Sequence, residues 1–425
     1  MPFIMATVLI DMISIGLIIP VLPKLVGSFE HSAAEQVAAY AWVAMAFSFA
    51  NFIGSPILGA LSDRYGRRPV LLVGFSGLAL SFFVTGLATQ LWMLIVVRLF
   101  SGAMQANIQL WMLIVVRLFS GAMQANIAVA NAYVTDITPP EDRAKRFGML
   151  GAMFGLGFIL GPVLGGLLGG INLRLPFFVA GSLAIVNWLY GFFVLPESLP
   201  RERRQPFRLA RANPVGSLVH LAQLKGMGAL LAVVTLTSLA QFILQQTWAV
   251  YTPLKFGWTT TDVGWSLCAV GAMSVLVQGV LVGRLARALS VQRLVILGLL
   301  SSALAYLAWG AATQGWMMYA VIACNVLGFA GGASLQTLVA NAAEPKSQGQ
   351  TMGAVAGLSS LTAVLAPVIG PLLLAAVANL PRHDWRLGMP YYLCAALQLG
   401  AMAMTIRHFR RLRADSTGAP VAARP

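Results

Sequence analysis

Residues 59–69 read GALSDRYGRRP, a run carrying Asp63, Arg64, Arg67 and Arg68 that separates two apolar blocks, 38–61 and 70–88. Each block has about the 20 residues needed to cross the hydrocarbon core of a bilayer. A basic turn between two such blocks is a membrane hairpin whose arginines stay on one side of the membrane. Within the turn, Gly59 admits a close helix neighbour, and Gly66 sits between the charged residues. Asp63 can accept from Arg67 or face a helix N-terminus.

Further apolar blocks lie on both sides. Before the linker they fall near 3–22, 38–61, 70–88, 110–133, 147–169 and 175–195; after it they fall near 227–251, 263–283, 293–312, 316–340, 351–378 and 389–406. The first begins at Phe3 and is long enough to span, unlike the short apolar core of a cleaved leader. The blocks do not alternate, so they predict helices rather than barrel strands. Hydrophobic residues make up 58% of the 425 and charged residues 10%, against about 25% charged in a soluble domain. A water-soluble enzyme, a nucleic-acid binder and a secreted disulfide scaffold are all excluded by this balance. The fold expected is an all-α membrane protein with twelve transmembrane helices in two halves. Residues 1–200 form an N-terminal six-helix bundle, 201–225 a basic linker, 226–406 a C-terminal six-helix bundle and 407–425 a tail. With the amino end inside, 21 of the 28 Lys and Arg fall in loops on one side and five on the other. That bias predicts cytoplasmic termini, and it makes the net charge of +15 a topological label.

One feature disturbs the pattern. QLWMLIVVRLFSGAMQANI occupies 90–108 and recurs unchanged at 109–127. Solenoid repeats diverge and continue for three or more units; this one is identical and occurs once, as a tandem duplication within span four. Nineteen helical residues add about 28 Å. Were both copies to span, every later loop would change sides, against the charge bias. One copy is therefore expected to span, with the other extending the helix, lying at the interface or folding back. Copy two is continuous with AVANAYVTDITPPEDRAKRFG, so Arg117, rather than Arg98, is expected to be the working arginine.

GALSDRYGRRP resembles the loop signature between spans two and three of the major facilitator superfamily. Other segments extend the resemblance: LIDMISIGLIIPVLP (9–23), RLFSG (117–121), GFILGPVLGG (157–166) and GRLARALSVQR (283–293), an echo of the loop half a chain later. Together they are similar to the twelve-span drug/proton antiporters and, among these, to bacterial tetracycline efflux proteins. The resemblance implies proton-coupled efflux of an amphipathic drug across the bacterial inner membrane by alternating access, with the substrate site at the midplane. It implies protons as the coupling ion, no bound cofactor, and a drug that can arrive as a metal–tetracycline chelate. Its partners are the small molecule, protons and lipid, with no nucleic acid and a monomeric state.

The residues offer specific chemistry. Asp11 is the acid deep within a span, where a carboxylate costs about 2.5–3.5 kcal/mol and must face a cavity or a partner. It reads as a proton carrier or cation contact, or else as a structural acceptor. Arg117 is the intramembrane cation. It can pair with Asp11, organise a network that senses protonation, or snorkel to the interface. Gly157, Gly161, Gly165 and Gly166 with Pro162 allow close helix approach and a bend, and are expected to seal span five against the second half. Gln241 and Gln245, one turn apart, with Trp248 and Tyr251, suit a cavity for a polycyclic ligand or simple interhelical bonding. Asp136 and Arg143 mark a charged corner, either relaying with the Asp63 loop or solvated.

The chain also departs from the group it resembles. Ser81, Ser274 and Ser302 stand where tetracycline exporters carry titratable groups, which leaves proton transfer to Asp11. Cys268, Cys324 and Cys394 are isolated in apolar blocks and read as small core residues. His31, His220, His383 and His408 lie in loops or at span ends, so no zinc site or Ser–His pair forms, and no nucleotide-binding Walker string occurs. The chain is expected not to be an enzyme. Two alternatives stay open: an exporter of another drug or a sugar, and a non-transporting sensor or decayed duplicate inactivated by the repeat.

Overall fold

The computed structural model describes residues 2–87, 117–118, 120–121, 126–139, 142–204, 228–342 and 348–417. Copy one of the repeat, Arg98 included, and most of copy two lie outside the described residues, so the expectation for the spare copy falls there. The described structure is helical throughout. Its helices are α1 (Pro2–Gly16), α2 (Leu22–Gly27), α3 (Ala33–Tyr65), α4 (Arg67–Leu87), α5 (Asn126–Asp136), α6 (Arg143–Ile171) and α7 (Leu175–Val194). After residue 227 come α8 (Gly228–Phe256), α9 (Thr260–Leu276), α10 (Val282–Ala288), α11 (Val291–Ala311), α12 (Gly315–Cys324), α13 (Val326–Ala342), α14 (Gln348–Ala375) and α15 (Met389–Thr417).

Among the described residues nine helices are long and apolar enough to cross a membrane, ten when the bent pair α12–α13 is counted as one. One of the twelve expected spans is interrupted, and another is described only in part. The first, expected to run through 3–22, stops at Gly16 and resumes at Leu22. Pro20 and Pro23 lack the N–H that a continuing helix needs, and Gly16 is pressed against α6, where an added Cβ would lie 2.8 Å from the Gly161 Cα. The fourth is described only from Asn126 onward as a helix. The span expected at 316–340 bends by 50° at Asn325, whose Oδ1 accepts from Ser301 Oγ at 2.9 Å. Between α9 and α10 the helix passes through a π-helical turn, Val277–Leu281, so that span is continuous but locally underwound.

Caps fix several ends. Ser32 and Glu35 form a reciprocal capping box on α3, and Thr259 and Asp262 do the same on α9. Gly66, at φ +105°, separates α3 from α4, a left-handed backbone open chiefly to glycine. The outward surface is apolar: Phe193 is 76% exposed, Ile171 78% and Trp316 65%. Large apolar side chains exposed in this way on several helices suit lipid rather than water.

Helices before residue 205 pack largely with one another, α1 on α6 and α7, and α4 on α7; those after 227 do likewise, α8 on α14 and α15, and α11 on α13 and α15. The main pairs that cross between the sets are α6 on α9 and α3 on α14, with smaller contacts of α8 on α2 and α3. Lys255, which follows the apolar block 227–251 and is one of the five basic residues counted in loops on the second side, is instead buried in the last turn of α8, donating to the Gly310 carbonyl at 2.8 Å.

Candidate functional site

Between the two sets of helices lies a cavity of about 230 Å³. Ile15, Ile18, Ile19 and Leu22 line it from the first span, Tyr40, Val43, Ala44 and Phe47 from α3, Phe158 from α6, and Gln245 and Gln246 from α8. Leu78 and Phe82 of α4, Leu267 of α9, Arg117 and Ser120 complete the described wall. Arg117 is 7% exposed; its guanidinium carbon sits 5.6 Å from the centre of the Phe47 ring, a cation–π distance. Among the described residues its Nε and Nη2 have no hydrogen-bond partner. One turn on, Gly121 lies against the Phe47 carbonyl, where a Cβ would collide. The glycine therefore brings Arg117 and Phe47 together.

Asp11 is buried in a separate cavity of about 10 Å³, beside Thr7, Val8, Met12, Leu71, Phe75 and Ala130. No ion pair or hydrogen bond joins it to Arg117 among the described residues. The Thr7 carbonyl accepts from Asn187 Nδ2 at 3.0 Å, which anchors this part of α1 to α7. The volume is about that of one water probe.

The expected loop signature assembles at one end of the bundle. Arg67 Nη1 is 2.7 Å from Asp63 Oδ1, and its Nε is 3.0 Å from Asp136 Oδ2. It also donates to Ser62 Oγ at 2.6 Å. Asp136 and the loop thus meet through Arg67, while the side chain of Arg143 lies outside the described residues. Arg68 donates to the carbonyls of Gly191 and Phe192, and Arg64 stacks on Tyr65 at 5.0 Å. Gly59 has no close neighbour: a Cβ there would meet nothing within 4 Å. The glycine that matters is Gly66, against which Glu197 packs. Glu197, unmarked in the sequence reading, accepts from the backbone N–H of Arg67 at 2.9 Å and of Arg68 at 3.3 Å. It caps the positive end of α4.

The glycines of α6 face two ways. A Cβ on Gly157, Gly161 or Gly165 would strike Met12, Gly16 or Leu17 on the first span, whereas one on Gly166 would lie 2.6 Å from the Thr260 carbonyl of α9. α6 runs unbroken through Pro162. Thr260 and Thr261 both donate to the Gly166 carbonyl, at 3.3 and 3.0 Å. Two further bonds cross between the sets: Tyr40 to Gln246 Oε1, 3.3 Å, and the Ala34 N–H to Asn379 Oδ1, 3.3 Å. Among the described residues, all of these crossing bonds lie away from the end that carries the arginine loop.

The α8 residues divide. Gln245 lines the cavity and Gln241 does not. Trp248 is 3% exposed, donating its indole N–H to Ser266 Oγ at 2.9 Å and packing edge-on to Trp309. It therefore belongs to the core of the second set, and Gln246 holds the place at the cavity wall. Cys394 is buried as expected, but Cys324 is exposed. No cluster of His, Cys, Asp and Glu among the described residues could hold a metal.

Against known proteins, the sequence matches the Major Facilitator Superfamily over residues 4–110, 106–367 and 255–423. The first of these segments ends just inside the second copy of the repeat. It is 35% identical over 415 residues to the class C tetracycline resistance protein of Escherichia coli, covering 97% of this chain and 98% of that one. With the class D tetracycline resistance protein of Salmonella ordonez it shares 32% identity, covering 90% and 92%. The nucleoside transporter NupG has a similar solved structure, with a TM-score of 0.73 at 11% identity, covering 96% of this chain and 98% of that one. At that identity the likeness concerns the fold alone.

Proposed function

Because the chain belongs to the major facilitator superfamily, a family of membrane transporters and not enzymes, and is related to bacterial tetracycline resistance proteins, we propose that it exports an amphipathic, tetracycline-like drug in exchange for protons. In this reading it sits in the bacterial inner membrane as twelve spans in two six-helix halves, both termini cytoplasmic. The observation that carries the reading is the cavity between the two sets of helices, apolar over most of its wall, with Tyr40, Arg117, Ser120 and the Gln245–Gln246 pair as polar groups. Pockets of this make-up bind drug-sized ligands. The crossing bonds then close the outer end, so the cavity faces inward and takes drug from the cytoplasmic side. Rocking of the halves exposes it outward. Asp11 takes a proton from outside and releases it inside, and Arg117 links the ligand to that cycle. The Asp63–Arg67–Asp136 group holds the cytoplasmic ends of the spans that must part and rejoin.

Everted vesicles bearing the chain test the proposal. Adding tetracycline should collapse a respiration-driven pH gradient, and Asp11→Asn should abolish the effect. A collapse caused by other drugs but never by tetracycline removes the tetracycline claim, and coupling retained in Asp11→Asn removes Asp11. If no compound acts on the full chain and deletion of residues 90–108 restores activity, the repeat has inactivated the protein.

A further inference from the structure

α6 and α9 separate toward the end of the bundle that carries the arginine loop. At the other end they are pressed together: a Cβ on Gly264 would lie 2.5 Å from the Pro162 carbonyl, and one on Gly271 2.5 Å from Ile159 Cγ1. Further along, a Cβ on Gly155 would only touch Val275, at 3.7 Å. The π-helical turn Val277–Leu281 follows, and there the two faces part. Gly148 and Ala152 continue the Gly155 face of α6 at helical spacing, and Gly279 and Gly283 continue the Val275 face; all four are exposed. The result is a wedge-shaped groove, shut at the level of Ile159 and Gly271 and open at the loop end. Its rims are apolar, with Met149 and Leu156 exposed on α6 and Leu276 and Val280 exposed opposite them.

The mouth of the groove is basic. Arg287 Nε donates to the Gly283 carbonyl at 3.2 Å, which lays the guanidinium back along the glycine face, and Arg284 is exposed one turn before it. The first loop carries Asp63 four residues after Gly59; its echo carries Arg287 four residues after Gly283. From 263 to 343 the chain has Arg284, Arg287 and Arg293 and no Asp or Glu. Across the groove, residues 141–146 add three basic residues and two acids, so a positive surplus remains at the mouth however these groups pair. Apolar walls within the span, topped by guanidinium groups at its end, suit an acyl chain beneath a phosphate headgroup, and arginines at that depth favour net-anionic lipids.

We infer that the groove between α6 and the α9–α10 segment seats one anionic glycerophospholipid, its phosphate on Arg284 and Arg287 and an acyl chain along the apolar walls. None of these residues is among the described lining of the cavity, so the seat stands apart from the drug site and does not depend on which compound is exported.

Native mass spectrometry of the full chain tests this, with the protein released from micelles holding equal amounts of phosphatidylglycerol and phosphatidylethanolamine of the same acyl chains. Phosphatidylglycerol should be retained over phosphatidylethanolamine by at least about fivefold, the ratio that one arginine supplies at a charged headgroup. Arg284→Gln combined with Arg287→Gln should bring the two lipids level. Arg174→Gln combined with Arg382→Gln, at the opposite end, should leave the preference intact. Gly279→Leu keeps both arginines but fills the groove, and it should lower phosphatidylglycerol retention by a similar factor. Equal retention of the two lipids by the unsubstituted chain overturns the inference without any variant, as does a preference that survives the loss of Arg284 and Arg287. Full retention in Gly279→Leu means that surface charge acts without the groove, and it overturns the seat.

Discussion

Tyr40 donates its hydroxyl proton to Gln246 Oε1 across 3.3 Å, tying α3 to α8 beside the cavity. A neutral bond of this kind is worth about 0.5–1.5 kcal/mol net, a shift of roughly two- to tenfold in a two-state population. Tyr40→Phe keeps the ring and removes the bond. It should raise the population in which this end stands open, read as a longer distance between spin labels attached at His31 and His383. An unchanged distance distribution would mean that the bond forms in both states.

The corner around Arg67 should rank its partners by burial. The Arg67 side chain is 9% exposed, that of Asp136 22% and that of Asp63 49%. Losing Asp136 leaves a largely buried charge short of its partner, whereas Asp63 is half solvated. Asp136→Ala should therefore cost about 1–3 kcal/mol, and Asp63→Ala about 0.5 kcal/mol or less. Glu197→Ala, which uncaps α4, should cost about 1–2 kcal/mol. Thermal unfolding of the purified protein gives the order, and a larger loss at Asp63 than at Asp136 contradicts it.

This corner also shows what a sequence can and cannot announce. Asp63 and Arg67 are four residues apart in a helical turn, so their pairing is local and readable. Glu197 reaches Arg67 from 130 residues away, and nothing in its own neighbourhood marks it. The apolar blocks are long enough to declare themselves helices whatever packs on them, but the approach of Gly161 to Gly16, beside the prolines that follow, and the bond from Ser301 to Asn325 at the bend are tertiary. The cavity wall illustrates the same limit. Helical spacing groups Gln241 with Gln245 and Trp248, yet the seam takes Gln245 and Gln246, because Ser266 and Trp309 hold the Trp248 indole in the core.

The glycines of α6 supply a comparison within one helix. A Cβ at Gly165 would collide with the Leu17 carbonyl, while at Gly148 it would meet nothing within 4 Å. Backbone cannot yield as a flexible side chain can, so Gly165→Ala must push the first span away from α6. It should lower stability by about 1–3 kcal/mol and lower drug efflux with it. Gly148→Ala should be neutral, or stabilising by up to about 1 kcal/mol through helix propensity. Equal melting temperatures for the two variants would contradict this packing.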